Sequence, residues 1–531
     1  MNQFDYIIVG GGTAGCILAN RLSATGRFRV LLLEAGGKPR NPWINIPAGF
    51  SKLLVNRNYN WRFSTEAEAG TKQRIIAIPR GKGLGGSTLI NGMIYVRGRP
   101  CDYDAWHRLG AQGWDYHTVA PYFHRVEHYA ESSLQRGREG PVHVERVRER
   151  FPIASAFIDA AKQAGLPYNE DYNGAQQFGV GFYQVTQHKG RRWSAYDAYL
   201  RPALARPNLT VVTNAQVLRL NLDGKRCVGV TYRIGRQQVC ASAKAEVILS
   251  AGAVQSPQVL ELSGIGQPDL LASIGIPVRH ALPGVGENYI DHYATRMNWR
   301  VKNTVTLNEM ARGWRLARAV LQYGATRKGI LTLGTGLVNA FVKTEPQLSE
   351  ADCQYFFVHA SYANAAERIL DRKPGMTIGV SQLRPESTGS IHIKSTEPDC
   401  QPSIRPNFLS AVSDQECLVR GMRLAREIVG KSAMQHYIDH ELSPGLNTLS
   451  DEAWLDFAQQ NGQSIYHPIG TCRMGNDSRA VVDPRLRVQG LQNLRVVDAS
   501  VMPAMISGNI QAAVMMVAER ASDLILEDAR S

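Results

Sequence analysis

The chain has 531 residues, 44% of them hydrophobic and 20% charged, with a formal net charge of +14. That length excludes a single simple core and predicts two to four domains of roughly 100 to 200 residues each, and the composition, with no low-complexity tract, excludes a disordered chain. No unbroken apolar run of about 18 residues is present, so no membrane-spanning helix is expected. The basic residues are scattered, with short clusters such as Arg146, Arg148 and Arg150 rather than one arm. No nucleic-acid partner is therefore expected, and only peripheral attraction to anionic lipid stays open. Eight cysteines form no CxxC pair and no Cys/His cluster with zinc spacing, so they read as free thiols and no metal is expected.

The chain enters a strand within four residues, leaving no room for a signal peptide, so a cytoplasmic location is the default. Phe4 to Val9 reads as a buried parallel strand and Ala14 to Ala24 as a helix. Between them lie Gly10, Gly12 and Gly15. In a dinucleotide-binding βαβ unit the first glycine permits the tight turn, the second lets backbone N–H groups reach a pyrophosphate, and the third lets helix pack on strand. Thr13 and Ala14 open the helix, whose N-terminus would face the phosphates. Glu34, followed by Ala35, lies 19 residues past Gly15, where a carboxylate can accept both ribose hydroxyls of an adenosine and would repel a 2′-phosphate. The unit alone does not separate FAD from NAD.

Further along, strand-like runs recur at Leu209 to Val212, Val217 to Leu222, Val228 to Tyr232 and Val247 to Leu249. The first two read as strand, turn and strand returning to the nucleotide-binding sheet. Between about residues 300 and 445 apolar and polar residues alternate between turns, the pattern of an antiparallel sheet with one covered face. The last segment runs from a buried strand, expected to complete the first sheet, into an amphipathic helix. The expected fold is α/β (α+β overall): a Rossmann-like domain from discontinuous segments 1–150, 205–300 and 462–531, and a substrate domain of 151–204 and 301–461 with a mainly antiparallel sheet and helices.

Two long motifs carry a resemblance. IPRGKGLGGSTLINGMIYVRG from Ile78 to Gly98 and GAVQSPQVLELSGIG from Gly252 to Gly266 resemble, in order, the two signatures of the glucose-methanol-choline (GMC) oxidoreductases. GVGENYIDH from Gly284 and YHPIGTCRMG from Tyr466 extend the likeness, which looks closest to the choline dehydrogenase and aliphatic alcohol dehydrogenase branch. The resemblance implies FAD, with a mixed sheet above the flavin. It places Gly85, Gly86 and Ser87 in a loop past the pyrophosphate and isoalloxazine, and Asn91, Gly92 and Met93 near the redox edge. Val217 and Ala251 would lie at the adenosine and phosphates, Asp498 and Ala499 along the ribityl chain, and Asn509, Ile510 and Gln511 at the flavin. Where some members tether FAD through a histidine, this chain has Ile90, so noncovalent FAD is expected.

His467 matches the family's active-site histidine, and a neutral imidazole suits removal of a hydroxyl proton. The branch reads GNxN, and on that alignment Gln511 replaces the second Asn; Gln511 is thus expected to face the substrate oxygen, with Asn509 outside the catalytic pair. The resemblance implies oxidation of a primary alcohol to an aldehyde, with a quinone or other acceptor, or dioxygen, taking the electrons. A nonredox lyase or a light-driven decarboxylase on the same fold is the alternative, and a basic FAD protein acting as a binding module a third. Tyr466, the aromatics of residues 181–200, and the group Phe356, Phe357, His359 and Tyr362 are candidates for lining the pocket. No aromatic cage with a carboxylate is evident for a quaternary ammonium, and a neutral alcohol is expected rather than choline.

Overall fold

The computed structural model describes residues 2–131, 133, 135–364 and 368–530. Two seven-stranded sheets organise them. The first begins with Asn2–Val9, whose consecutive residues Tyr6, Ile7, Ile8 and Val9 are all buried, as a strand covered on both faces requires. It pairs in parallel with Val30–Glu34 on one side and with Gln237–Leu249 on the other. Leu209–Thr213 adds in parallel beyond Val30–Glu34. Arg226–Ile234 and Ala215–Asp223 extend the far side as antiparallel strands. Leu494–Val496 pairs in parallel with the end of Gln237–Leu249, so the C-terminal segment does complete this sheet.

The second sheet is antiparallel throughout and runs Ile438–Ser443, Tyr293–Val301, Gly375–Gln382, Cys353–Val358, Val338–Val342, Gly179–Phe182. Two expectations need correction. Gly375–Gln382 is buried at every position, not on one face, because the helix Val412–Val429 covers one side and the other side closes over a cavity. The strand Tyr293–Val301, which fell at the end of a first-domain segment, pairs in the second sheet.

The C-terminal helix Gln511–Asp528 is also more buried than an amphipathic helix would be. Even Glu519 is fully buried, where its carboxylate accepts from Arg21 and Arg125 and from the Tyr199 hydroxyl at 2.7–2.9 Å. A buried charge needs such partners, and together they allow an acid to face a core.

Candidate active site

One cavity runs between the two sheets, and every site residue expected from the sequence borders it except Gly15 and Gly85. Those two act by packing. A Cβ on Gly15 would lie 1.9 Å from the Gly10 carbonyl oxygen, so only glycine lets the helix Thr13–Leu22 approach its strand. Gly10 has φ +103° and a Cβ there would meet the Ser250 carbonyl oxygen at 2.5 Å.

The first-sheet end of the cavity is made largely of main chain. Gly12 precedes the helix Thr13–Leu22 with no side-chain cap, so the first amide groups of the helix face the cavity. A Cβ on Gly12 would have no protein atom nearer than 3.9 Å, so the space beside it belongs to the cavity and not to packing. Glu34 gathers three turns: its carboxylate accepts from the amides of Gly11 at 2.8 Å, Gly36 at 2.7 Å and Gly83 at 3.0 Å. Burial pushes its pKa up, and these amides oppose that. Asp498 likewise accepts from the Gly252 amide and from the hydroxyls of Ser256 and Ser500, joining the last strand to the helix Gly252–Leu262.

The opposite end is made of side chains. His467 lies in the turn after Gln463–Ser464, and its backbone is held on both sides. Its amide donates to Asp291 at 2.8 Å, and Asp291 also accepts from Ser464 and Tyr289. Tyr466 adopts φ +75°, with its amide donating to Ser464 at 2.8 Å and its carbonyl accepting from Arg80. Such a conformation in a non-glycine residue costs on the order of 1–3 kcal/mol and persists only where the surroundings fix it.

The ring is held as firmly as the backbone. His292 Nε2 lies 2.8 Å from the Leu383 carbonyl, which can only accept, so His292 carries its proton on Nε2. Burial pushes the His292 pKa down to about 4, so its Nδ1 is an acceptor at neutral pH. His467 Nδ1 sits 3.0 Å away and must donate. The lone pair of His467 is therefore on Nε2, and 3.1 Å from it lies Asn509 Nδ2. Burial, with the nearby His292 and Arg80, holds His467 well below the ordinary histidine value, so it is neutral.

This geometry corrects the expected pair. Asn509, not Gln511, stands at His467; Gln511 turns away, and its Oε1 accepts from Asn91 Nδ2. Gln511 is the first residue of the last helix, whereas Asn509 lies in the non-helical segment before its cap, and the two side chains leave in different directions. Asn91 is fixed in turn by Arg192, whose Nη1 donates to Asn91 Oδ1 at 2.7 Å and to the Thr88 carbonyl at 3.0 Å. Sequence reasoning missed His292, Asp291, Arg80 and Arg192. The first two stand in the quoted GVGENYIDH motif, and an adjacent Asp and His in a family motif was the available signal.

Of the proposed pocket aromatics, Phe356, Tyr362 and Tyr466 border the cavity. Phe357 points to the other face and stacks on Phe157 at 4.7 Å, and His359 stacks on Phe151 at 3.9 Å. The aromatics of residues 181–200 do not border it either.

Among the described residues, four buried polar atoms on this cavity lack a partner: Ser250 Oγ, Gln463 Nε2, Asn509 Oδ1 and Gln511 Nε2. Unsatisfied groups of this kind mark places a ligand completes. A βαβ nucleotide cradle facing a neutral buried histidine under a second sheet defines an oxidoreductase of the dinucleotide-cofactor class. The chain belongs to the GMC oxidoreductase family, whose sequence models match residues 4–294 and 385–518. It is 40% identical to human mitochondrial choline dehydrogenase over 99% of this chain and 90% of that one. It is 39% identical to an alcohol dehydrogenase [acceptor] of Pseudomonas putida over 99% and 96%. The solved formate oxidase of Aspergillus oryzae, studied for modification of its FAD, superposes with a TM-score of 0.93 at 26% identity, covering 100% of this chain and 99% of that one.

Proposed function

We propose that this chain is an FAD-dependent oxidoreductase that converts a primary alcohol to its aldehyde. One observation carries the reading: the unprotonated Nε2 of His467 and the amide of Asn509 stand 3.1 Å apart where the nucleotide cradle meets the covering sheet. The residues present fit FAD. Main-chain amides at Gly12 and Thr13 would take the pyrophosphate, Glu34 and Val217 would flank the adenosine, and Asn91, Gly92, Met93 and Gln511 would border the isoalloxazine. Ile90 offers no nucleophile, and the cofactor is proposed to be noncovalent.

When bound, FAD would supply the hydride acceptor for the alcohol carbon. His467 Nε2 would receive the hydroxyl proton of a substrate oxygen seated beside both groups, with Asn509 Nδ2 donating to the developing alkoxide in place of its bond to His467. His292 keeps His467 in the required tautomer and Asp291 keeps its backbone in place. The balance is one hydride and one proton lost, with the aldehyde released. A positioned base and donor serve this reaction directly, which favours it over a lyase or a decarboxylase. The test is anaerobic bleaching of the bound flavin by primary alcohols in the dark; absence of bleaching across aliphatic and aromatic alcohols overturns the reading.

Segments 1–150, 205–292 and 462–531 are proposed as the FAD-binding part, the second boundary moved because the strand Tyr293–Val301 joins the second sheet. Electrons are proposed to leave to a quinone or another acceptor rather than to dioxygen. Among the described residues no helix is long and apolar enough to cross a membrane. We propose a cytoplasmic protein that docks peripherally on anionic lipid through the helix Gly313–Thr326, which buries only Ala319 and Tyr323. Trp314 and Leu321 are 68% and 75% exposed there, with Arg312, Arg315, Arg318 and Lys328 close by in sequence. Cosedimentation with phosphatidylglycerol vesicles is expected, and Trp314→Ala with Leu321→Ala should reduce it by roughly tenfold; no binding at low salt contradicts it.

A further inference from the structure

The face of the second sheet that closes the cavity is set by register. Tyr293–Val301 pairs with Gly375–Gln382 so that Arg296 lies opposite Gly379, and Gly379 lies opposite Phe356. Ala294, Arg296, Phe356, Val358, Thr377 and Gly379 all border the cavity, as period-two alternation requires. Phe356 packs over Gly379, and among the described residues Arg296 is the one charged residue of these three strands that borders the cavity. Arg368 borders the same end and donates to the Tyr466 hydroxyl at 3.2 Å, one residue from His467.

Among the described residues neither cation makes an ion pair with an acid. The groups acting on Arg296 are the Arg368 guanidinium and the hydroxyls of Tyr466 and Tyr362. The same two tyrosines act on Arg368. Among the described residues, the carboxylates on the cavity are Glu34 and Asp498, both at the first-sheet end and both occupied by hydrogen-bond donors. Arg80 is different, since Asp291 balances it and its guanidinium is bound to carbonyls. Burial pushes Arg296 down to about 10. Both arginines are partly buried on the cavity wall, and two neighbouring guanidiniums with no carboxylate at that end favour an anionic ligand there. The phosphates of the cofactor cannot supply it, because their cradle is the glycine turn of the first sheet.

We propose that Arg296 and Arg368 form an anion subsite for the substrate, so that this enzyme takes an alcohol bearing a carboxylate, held with its hydroxyl at His467 and its carboxylate on the two arginines. This rests on the alcohol-oxidation reading and replaces the neutral alcohol expected from the sequence. A quaternary ammonium alcohol would meet two like charges and is excluded from the preferred substrates.

The test uses the flavin-loaded enzyme and two matched probes that carry no reactive hydroxyl next to a charge: hexanoate, followed by calorimetry, and tetramethylammonium. Hexanoate should bind and tetramethylammonium should not. Arg296→Met should weaken hexanoate by roughly tenfold or more, with Arg296→Lys recovering part of the loss. Arg368→Met gives the same reading independently if Arg296→Met does not fold. Anaerobic bleaching should then be faster with ω-hydroxyhexanoate than with its methyl ester, and slowest with choline. Hexanoate binding that is absent, or unchanged by both methionine variants, overturns the subsite. Bleaching by neutral alcohols with no such preference overturns the subsite and leaves alcohol oxidation standing. Arginine-dependent hexanoate binding without bleaching by any alcohol supports the subsite and overturns the oxidation.

Discussion

The two ends of the cavity are built from different materials. At the first sheet, backbone amides and glycine turns make the surface, and side chains such as Glu34 mainly tie the turns together. At the second sheet, side chains from five distant stretches converge: Arg80, Asp291 with His292 and Arg296, Arg368, Tyr466 with His467, and Asn509. A cofactor common to many enzymes can be held by main chain, which no substitution alters directly. A substrate is chosen by side chains, each of which can change alone.

This difference can be broken at either end. The largest effect is expected at the cradle. Gly12 has φ −75°, which any residue adopts, and no protein atom within 3.9 Å of a Cβ. Gly12→Val should therefore fold, since the added methyls enter the cavity and not the core. It should be purified with less than about a tenth of the flavin of the wild type, as expected for blocking main-chain contact with the pyrophosphate. Flavin content by absorbance checks it, and full loading would show that the cradle does not lie at Gly12.

A smaller and more selective effect is expected at the side-chain end. Asn509→Ala should keep its flavin and slow anaerobic reduction by roughly a hundredfold, the scale of losing a donor to a developing oxyanion. Gln511→Ala should cost less than about tenfold, because Gln511 bonds to Asn91 and not to the reacting pair. Stopped-flow reduction of the two variants compares them directly. The reverse order would restore Gln511 as the partner of His467.

The same contrast explains what could be read from the sequence. Gly10, Gly12, Gly15 and Glu34 lie within one βαβ unit, so their spacing alone carries their geometry. The pairing of Leu494–Val496 with Gln237–Leu249 followed from its apolar run. By contrast, Asn509 and Gln511 are two residues apart, and their roles depend on where the last helix begins, which motif alignment does not give. Arg296 looks like a solvated residue of an alternating strand, and only the register against Gly379 turns it toward the cavity. The all-round burial of Gly375–Gln382 was hidden for the same reason, since what covers each face lies far away in the chain.

The most direct test of the central claim is the pH dependence of anaerobic flavin reduction by a primary alcohol, in the wild type and in His467→Ala. Because His467 is held well below the ordinary histidine value, it stays unprotonated as pH falls through the range where a free histidine gains its proton. The wild-type rate should be level above about pH 7 and fall with a midpoint near 6, where Asp291, pushed up by burial to about 6, gains a proton and loosens its hold on the His467 amide. His467→Ala should bind flavin normally and be slower by roughly a hundredfold or more at every pH. A wild-type rate that falls with a midpoint at or above the free histidine value, or a His467→Ala rate equal to the wild type, would contradict the account.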